Sequence, residues 1–140
     1  MASRELFVDT SAWVPLLLRR HPDHSGLTGA LRSRVARGDR VITTNLVLAE
    51  TYTLLVCRGH RPAALRFLQA VREPPNVIVS STPDVEQCAM ADWLEPFDDQ
   101  DFSFADAVSF AVMTERRITR ALTLDTHFAA AGFEMIAGVK

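Results

Sequence analysis

Short runs of continuous apolar residues, alternating with longer helical stretches, predict a three-layer α/β/α domain on a central parallel sheet of about five strands. Strands without polar alternation are buried on both faces, and only helices above and below a parallel sheet supply that cover. The length of 140 residues fits a single domain over residues 1–140, large enough to bury roughly two-thirds of its unfolded surface. With 48% hydrophobic and 23% charged residues, disorder is excluded.

The elements follow in order. Leu6–Val8 reads as a buried strand, and Thr10 or Ser11 caps a short helix whose register Pro15 limits. A second helix lies between Pro22 and Ala36, closed by Gly38. Val41–Thr43 is the next strand; Thr44 or Asn45 then caps a helix that ends at Gly59. Pro62 opens a helix over Arg61–Arg72, which Pro74-Pro75 stops. Asn76–Ser80 is the cleanest strand, with Val77, Ile78 and Val79 in a row. Thr82-Pro83 starts a helix to about Leu94, and Ser103 caps another over Phe104–Arg116. Ala121–Leu124 and Glu134–Ile136 are the last two strands.

Several classes are excluded. No apolar run approaches the roughly 18 residues that a membrane span needs. The opening MASRELFVD places two charges directly before a strand and is no signal peptide. Cys57 and Cys88 form no CxxC pair. The expected location is cytoplasmic, away from any membrane. A net charge of −2 argues against a bulk electrostatic nucleic-acid binder. It hides an asymmetry, since residues 1–70 carry ten Arg against five acids, and residues 71–140 five basic residues against twelve acids. Fourteen of the fifteen basic residues are Arg, the side chain that forks onto phosphate. A GC-rich genome accounts for that excess equally well.

The informative feature is where four acids sit. Asp9 is the only charged residue in Leu6–Leu18, Glu50 in Val41–Cys57, Asp106 in Phe102–Thr114, and Asp125 in Ala121–Phe133 if His127 is neutral. On a helix, Glu50 shares its face with Leu46, Val47, Leu54 and Cys57, which points it into the core. Asp106 shares a face with Phe102, Phe110 and Met113. Asp9 and Asp125 follow apolar strands, at the carboxyl ends where open parallel sheets bind ligands. An unpaired carboxylate in such places costs several kcal/mol or takes up a proton. Taken alone, Asp9 is as readily a helix cap as a site residue, and Asp125 before Thr126-His127 is equally a turn former. Glu50 or Asp106 could be an ion-paired core acid. Four at once favour a site.

Several carboxylates with few bases suit a hard divalent cation, Mg²⁺ or Mn²⁺, which takes oxygen ligands and neutralises a phosphoryl group during in-line displacement. Zinc fits poorly, because His21, His24, His60, His127 and the two Cys form no ligand-spaced set; His21 and His24 read as surface residues. No Walker loop, GxGxxG, GxSxG or Cys–His pairing is present.

Four blocks in series, FVDTSAW (Phe7–Trp13), NLVLAETYTLL (Asn45–Leu55), DFSFADAVSFAVM (Asp101–Met113) and ALTLDTHFAAAGF (Ala121–Phe133), resemble a PIN domain over nearly the whole chain. The ending is similar to one branch of the VapC-type toxin ribonucleases of VapBC toxin–antitoxin systems. The resemblance implies a metal-dependent endonuclease for single-stranded RNA on a five-stranded parallel sheet, with Asp9, Glu50, Asp106 and Asp125 as its acidic positions. Chemistry and resemblance together make Asp9 and Asp106 the leading metal ligands, with Glu50 and Asp125 completing their surroundings. Water then attacks the scissile phosphate and leaves 5′-phosphate and 3′-hydroxyl ends.

Asp101 either assists or belongs to a solvated loop with Asp98 and Asp99. Thr10, Ser11 and Thr44 read first as helix caps and second as hydrogen-bond partners of a carboxylate or phosphate, and Trp13 and Phe104 as core residues rather than base-stacking platforms. Toxin membership implies a homodimer and a small antitoxin with an apolar helix and a basic C-terminal tail. The alternatives are a housekeeping RNA-processing nuclease and a PIN-like module that binds RNA or protein without cutting. A phosphatase of the haloacid-dehalogenase type needs a second Asp where Ser11 stands, and a receiver domain needs a late-sheet Lys where the only Lys is Lys140.

Overall fold

The computed structural model describes residues 4–137. Five strands, β1 (Glu5–Val8), β2 (Arg40–Thr44), β3 (Asn76–Val79), β4 (Arg120–Leu122) and β5 (Glu134–Ile136), form one parallel sheet in the order β3-β2-β1-β4-β5. Phe7 in the central strand pairs with Ile42 on one side and Ala121 on the other. All three are fully buried, as the unbroken apolar runs require.

The helices are α1 (Thr10–Leu17), α2 (His24–Ala36), α3 (Asn45–Cys57), α4 (Arg61–Ala70), α5 (Pro83–Ala89, continued by a π-helical turn over Met90–Leu94), α6 (Phe104–Glu115) and α7 (His127–Ala130). Neighbours α1 to α4 pack on one another, as do α5 to α7; the right-handed crossovers that a parallel sheet requires then put the two groups on opposite faces. The expected three-layer α/β/α architecture is thus present. Gly38 and Gly59 end their helices at φ +92° and +83°, a conformation that glycine adopts without strain.

Local details differ from the sequence reading. Asp9, rather than Thr10 or Ser11, is the cap of α1: it is extended and its side chain accepts the Ser11 backbone N–H. Pro15 sits inside α1, which ends two residues later; its missing N–H leaves the Ser11 carbonyl, four residues back in the preceding turn, without its helical donor. Strand β4 stops at Leu122, two residues short of Leu124, so the Thr123 hydroxyl is released from strand geometry to face β1. The short α7 was not foreseen, because four residues carry no helical periodicity.

Two clusters hold the layers together. Phe110 of α6 sits edge-on to Phe102 and Phe128, with ring centroids 5.0 Å away in each case, and packs on Trp93. Across the sheet, Val14, Leu55 and Ala64 join α1, α3 and α4 in a smaller core. The chain moves from β1 to β2 and β3 on one side, then crosses to β4 and β5 on the other. The crevice at the carboxyl ends of β1 and β4 is therefore the topological switch point, where sheets of this kind bind ligands.

Candidate active site

Asp9 leaves β1 at that switch point. The requirement to cap α1 and the end of an apolar strand fix it there together, and it is only 4% exposed. Three hydrogen bonds reach one oxygen, Oδ2: from the Ser11 backbone N–H (3.3 Å), the Ser11 hydroxyl (2.9 Å) and the Thr123 hydroxyl (3.2 Å). Both hydroxyls also accept a backbone N–H, Ser11 from Leu124 (2.8 Å) and Thr123 from Asp125 (2.9 Å). The two hydroxyls also lie 3.0 Å from each other, so their two protons are shared among the Asp9 oxygen and this mutual contact. Burial nevertheless outweighs the donors. With the nearby Asp106 charge adding to it, burial pushes the Asp9 carboxyl up to about 6 from 3.8.

Asp106 enters from α6, whose first turn forms a reciprocal capping box. The Ser103 hydroxyl accepts the Asp106 N–H (3.0 Å), and Asp106 Oδ2 accepts the Ser103 N–H (3.1 Å). This locks the carboxylate toward the cleft. Its carboxyl is also raised, by burial first and then by the Asp125 charge, against the hydrogen bonds from Ser103 and His127. His127 Nδ1 lies 3.3 Å from Asp106 Oδ2 and 3.4 Å from Asp125 Oδ1, while the His127 backbone N–H donates to Asp125 Oδ1 (2.9 Å).

Asp9, Glu50, Asp106 and Asp125 all line one cleft of about 480 Å³, and Asp101 lines it too, from an exposed loop position. The structure therefore brings the four predicted acids together. Glu50 does not point into the core as its face suggested. It is half-buried on the cleft wall, and Cys57, placed on the same face, is exposed. The residues that α3 buries are Val47, Leu48, Thr51 and Leu55.

The secondary readings divide. Thr44 caps α3, as expected, and Thr10 instead ties α1 to α3, donating to the Val47 carbonyl (3.3 Å) and accepting from Thr51 (3.1 Å). Trp13 is core, against Phe67, whereas Phe104 is 42% exposed rather than buried, since the capping box aims the start of α6 outward. His21, read as a surface residue, is half-buried and lines the cleft. Thr123 and His127 were not identified as contacts of the acids, whereas Ser11, read first as a cap and second as a donor to a carboxylate, is such a donor. Their signal was the two-residue spacing in Asp9–Ser11, Thr123–Asp125 and Asp125–His127, where side chains bond backbone two positions on.

The donor set suits a divalent cation. Oxygens of Asp106 and Asp125 and a ring nitrogen of His127 lie within 4.8 Å of one another, with Asp9 close enough to feel the Asp106 charge. Among the described residues no Arg or Lys forms an ion pair with any of the four acids. Carboxylates that repel each other, two of them with raised values, are what Mg²⁺ or Mn²⁺ neutralises; the oxygen-rich set favours these ions over softer ones.

The family description "PIN domain" matches residues 6–134. Two relatives, both the 23S rRNA-specific endonuclease VapC20 from strains of Mycobacterium tuberculosis, are each 40% identical to the chain over 133 residues, covering 91% of it and 95% of their own length. The crystal structure of Mycobacterium tuberculosis VapC20, described as a sarcin-ricin loop cleaving toxin, matches with a TM-score of 0.86 at 35% identity. That match covers 94% of this chain and 98% of the other.

Proposed function

The chain belongs to the PIN-domain family, and on that premise we propose that it is a Mg²⁺- or Mn²⁺-dependent endoribonuclease, the toxin of a type II toxin–antitoxin pair. Its substrate is ribosomal RNA of the kind that VapC20 is named for, 23S rRNA at the sarcin-ricin loop. The observation that carries this reading is the convergence of Asp9, Glu50, Asp106 and Asp125 on one cleft at the switch point, with no Arg or Lys ion-paired to them among the described residues.

Asp9 and Asp106 hold the metal, and Asp125 and Glu50 complete its surroundings. When bound, the ion supplies charge neutralisation at the phosphoryl group and a more acidic water. Ser11 and Thr123 fix the Asp9 carboxylate, and His127 fixes Asp106 relative to Asp125. Water attacks the scissile phosphorus and the bond to the 3′ oxygen breaks. One of the site carboxylates takes the proton that the water gives up and returns it to solvent, a solvent water protonates the departing 3′ oxygen, and the products carry 5′-phosphate and 3′-hydroxyl ends.

The same reading makes residues 1–140 one nuclease domain, acting in the cytoplasm as a homodimer. Among the described residues no helix is long and apolar enough to cross a membrane. Its antitoxin is a small protein with a basic C-terminal tail, whose Arg or Lys pairs with the cleft carboxylates and blocks substrate. Purified protein incubated with ribosomes tests the activity. Cleavage at one position of 23S rRNA is expected with Mg²⁺ or Mn²⁺, none with EDTA, and none from Asp106→Asn. Cleavage that survives EDTA, or that Asp106→Asn retains, overturns the metal assignment. Co-expression with the neighbouring small reading frame tests the partner, and a toxic wild-type chain that this frame neither binds nor silences refutes it.

A further inference from the structure

The cleft is graded along its length, and the grading is built twice. On α3, Glu50, Leu54 and Arg58 stand at i, i+4 and i+8, one stripe on one face, and all three line the cleft. On α1 and the turn after it, Asp9, then Val14 and Pro15, then His21 line the facing wall. The two helices run side by side in the same direction. Thr10 bonds Val47 and Thr51 near their starts, and Val14 packs on Leu55 further along. Both walls therefore pass in step from acid, through apolar, to nitrogen donor.

Among the described residues Arg58 is the only Arg or Lys in the lining. Its backbone closes α3, donating to the Leu54 carbonyl at 3.1 Å, and the positive φ of Gly59 ends the helix just beyond it. Among the described residues no carboxylate lies within ion-pair distance of its guanidinium, although five acids share the cleft. Eight residues of helix place it about 12 Å along the axis from Glu50, past the acids rather than among them. Opposite, His21 Nδ1 accepts the Asp23 N–H (3.1 Å), which leaves Nε2 to carry the ring proton as a donor.

We propose that Arg58, supported by His21, binds the RNA phosphate that neighbours the scissile one. The intervening nucleoside lies over Val14, Pro15 and Leu54. The contact rests on the endoribonuclease reading above and adds the direction in which the strand crosses the site: away from the acids, along α1 and α3. A guanidinium with no carboxylate partner offers its fork to phosphate, and a repulsive acidic end keeps the backbone from sliding back without metal.

The test is steady-state cleavage, in Mn²⁺ and across a range of salt, of a fluorescein-labelled oligoribonucleotide with the sarcin-ricin loop sequence. Arg58→Ala should raise KM about tenfold with kcat within about twofold, and should flatten the slope of log kcat/KM against log salt by about 0.7, the value for one phosphate on a single strand. Arg58→Lys keeps the charge but not the fork, so it should keep the slope and recover part of KM. The rise in melting temperature with Mn²⁺ should match the wild type in both variants, because Arg58 is no metal ligand. An Arg58→Ala enzyme with wild-type KM and slope, or one that loses kcat or the Mn²⁺ shift instead, overturns the contact alone. A wild-type chain that leaves the RNA uncut overturns both the proposed function and this contact.

Discussion

Asp9→Asn is the substitution whose energetics the structure defines best. The carboxyl is 4% exposed and its value rises from 3.8 to about 6, so the folded protein holds this proton more tightly than the unfolded chain. The sign follows from linkage. Below 3.8 both states are protonated and nothing is lost; as pH rises toward 6 the unfolded chain ionises first, and metal-free stability falls. Above 6 the full cost is in place, about 3 kcal/mol for a shift of about two units. Roughly half of it develops between about pH 5 and about pH 7.5, where Asn at position 9 cannot titrate. Asn caps a helix as well as Asp does, so the cap of α1 survives. Urea denaturation in EDTA should therefore show Asp9→Asn gaining on the wild type by on the order of 1 kcal/mol over that interval. Using the difference removes titrations common to both proteins. With Mn²⁺ the order reverses, because only the wild type binds the ion. If the two proteins keep a constant difference from about pH 5 to 7.5 in EDTA, the carboxyl does not carry a raised value and burial is not what tunes it.

Glu50→Gln tests whether that acid serves the site or the fold. It is half-buried on the cleft wall with no ion-pair partner among the described residues, so stability should change by less than about 0.5 kcal/mol while cleavage is lost; a loss of roughly 3–5 kcal/mol with cleavage retained would make it a structural acid. Ser11→Ala and Thr123→Val each remove a donor to Asp9 and an acceptor from a backbone N–H, Leu124 or Asp125, that water can reach, at a cost of about 1 kcal/mol. Each should also move the acid limb of the pH–rate profile upward, and the double variant should cost less than the sum, since both hydroxyls meet on one oxygen. Unchanged profiles would mean that the hydroxyls do not tune Asp9.

Most of the sheet was legible because a strand buried on both faces has to be continuously apolar, and Leu6–Val8 and Val77–Val79 are. Helix ends were legible where the chemistry was unambiguous, as at Gly38, Gly59 and Ser103. The cap of α1 was not. In Asp9-Thr10-Ser11 three consecutive residues can cap, and the choice depends on where β1 stops. Glu50 was misplaced for a related reason. Its helix is apolar on nearly all sides, so periodicity alone does not say which edge faces the sheet and which faces the cleft. The hydroxyl pair that grips Asp9 is separated by 112 positions, Ser11 from Thr123, and only the adjacency of β1 and β4 brings it together. His127 needed the packing of α7, which starts with it, against α6, which carries Asp106.

The two ends of β1 show how the chain allots its charges. Glu5, at the start of the strand, accepts from Arg40 and Arg116, each at 2.7 Å to Oε2, and the Arg116 bond first of all holds its carboxyl below the usual range. Arg120 and Glu134 pair at the same end of the sheet, at the first residues of β4 and β5. Four residues after Glu5, Asp9 meets the opposite treatment: burial, a second carboxylate nearby, hydroxyls instead of guanidinium groups, and a raised value. Arginine is abundant in this sequence, so the unpaired acids do not reflect a shortage of partners. Pairing Asp9 with an Arg would stabilise the metal-free fold, and it would also fill with a fixed cation the place that a divalent ion needs. The chain pairs its acids at the amino ends of the strands, where they only hold structure. At the carboxyl ends it leaves them to repel, which makes the binding of a cation favourable by the cost that its absence imposes.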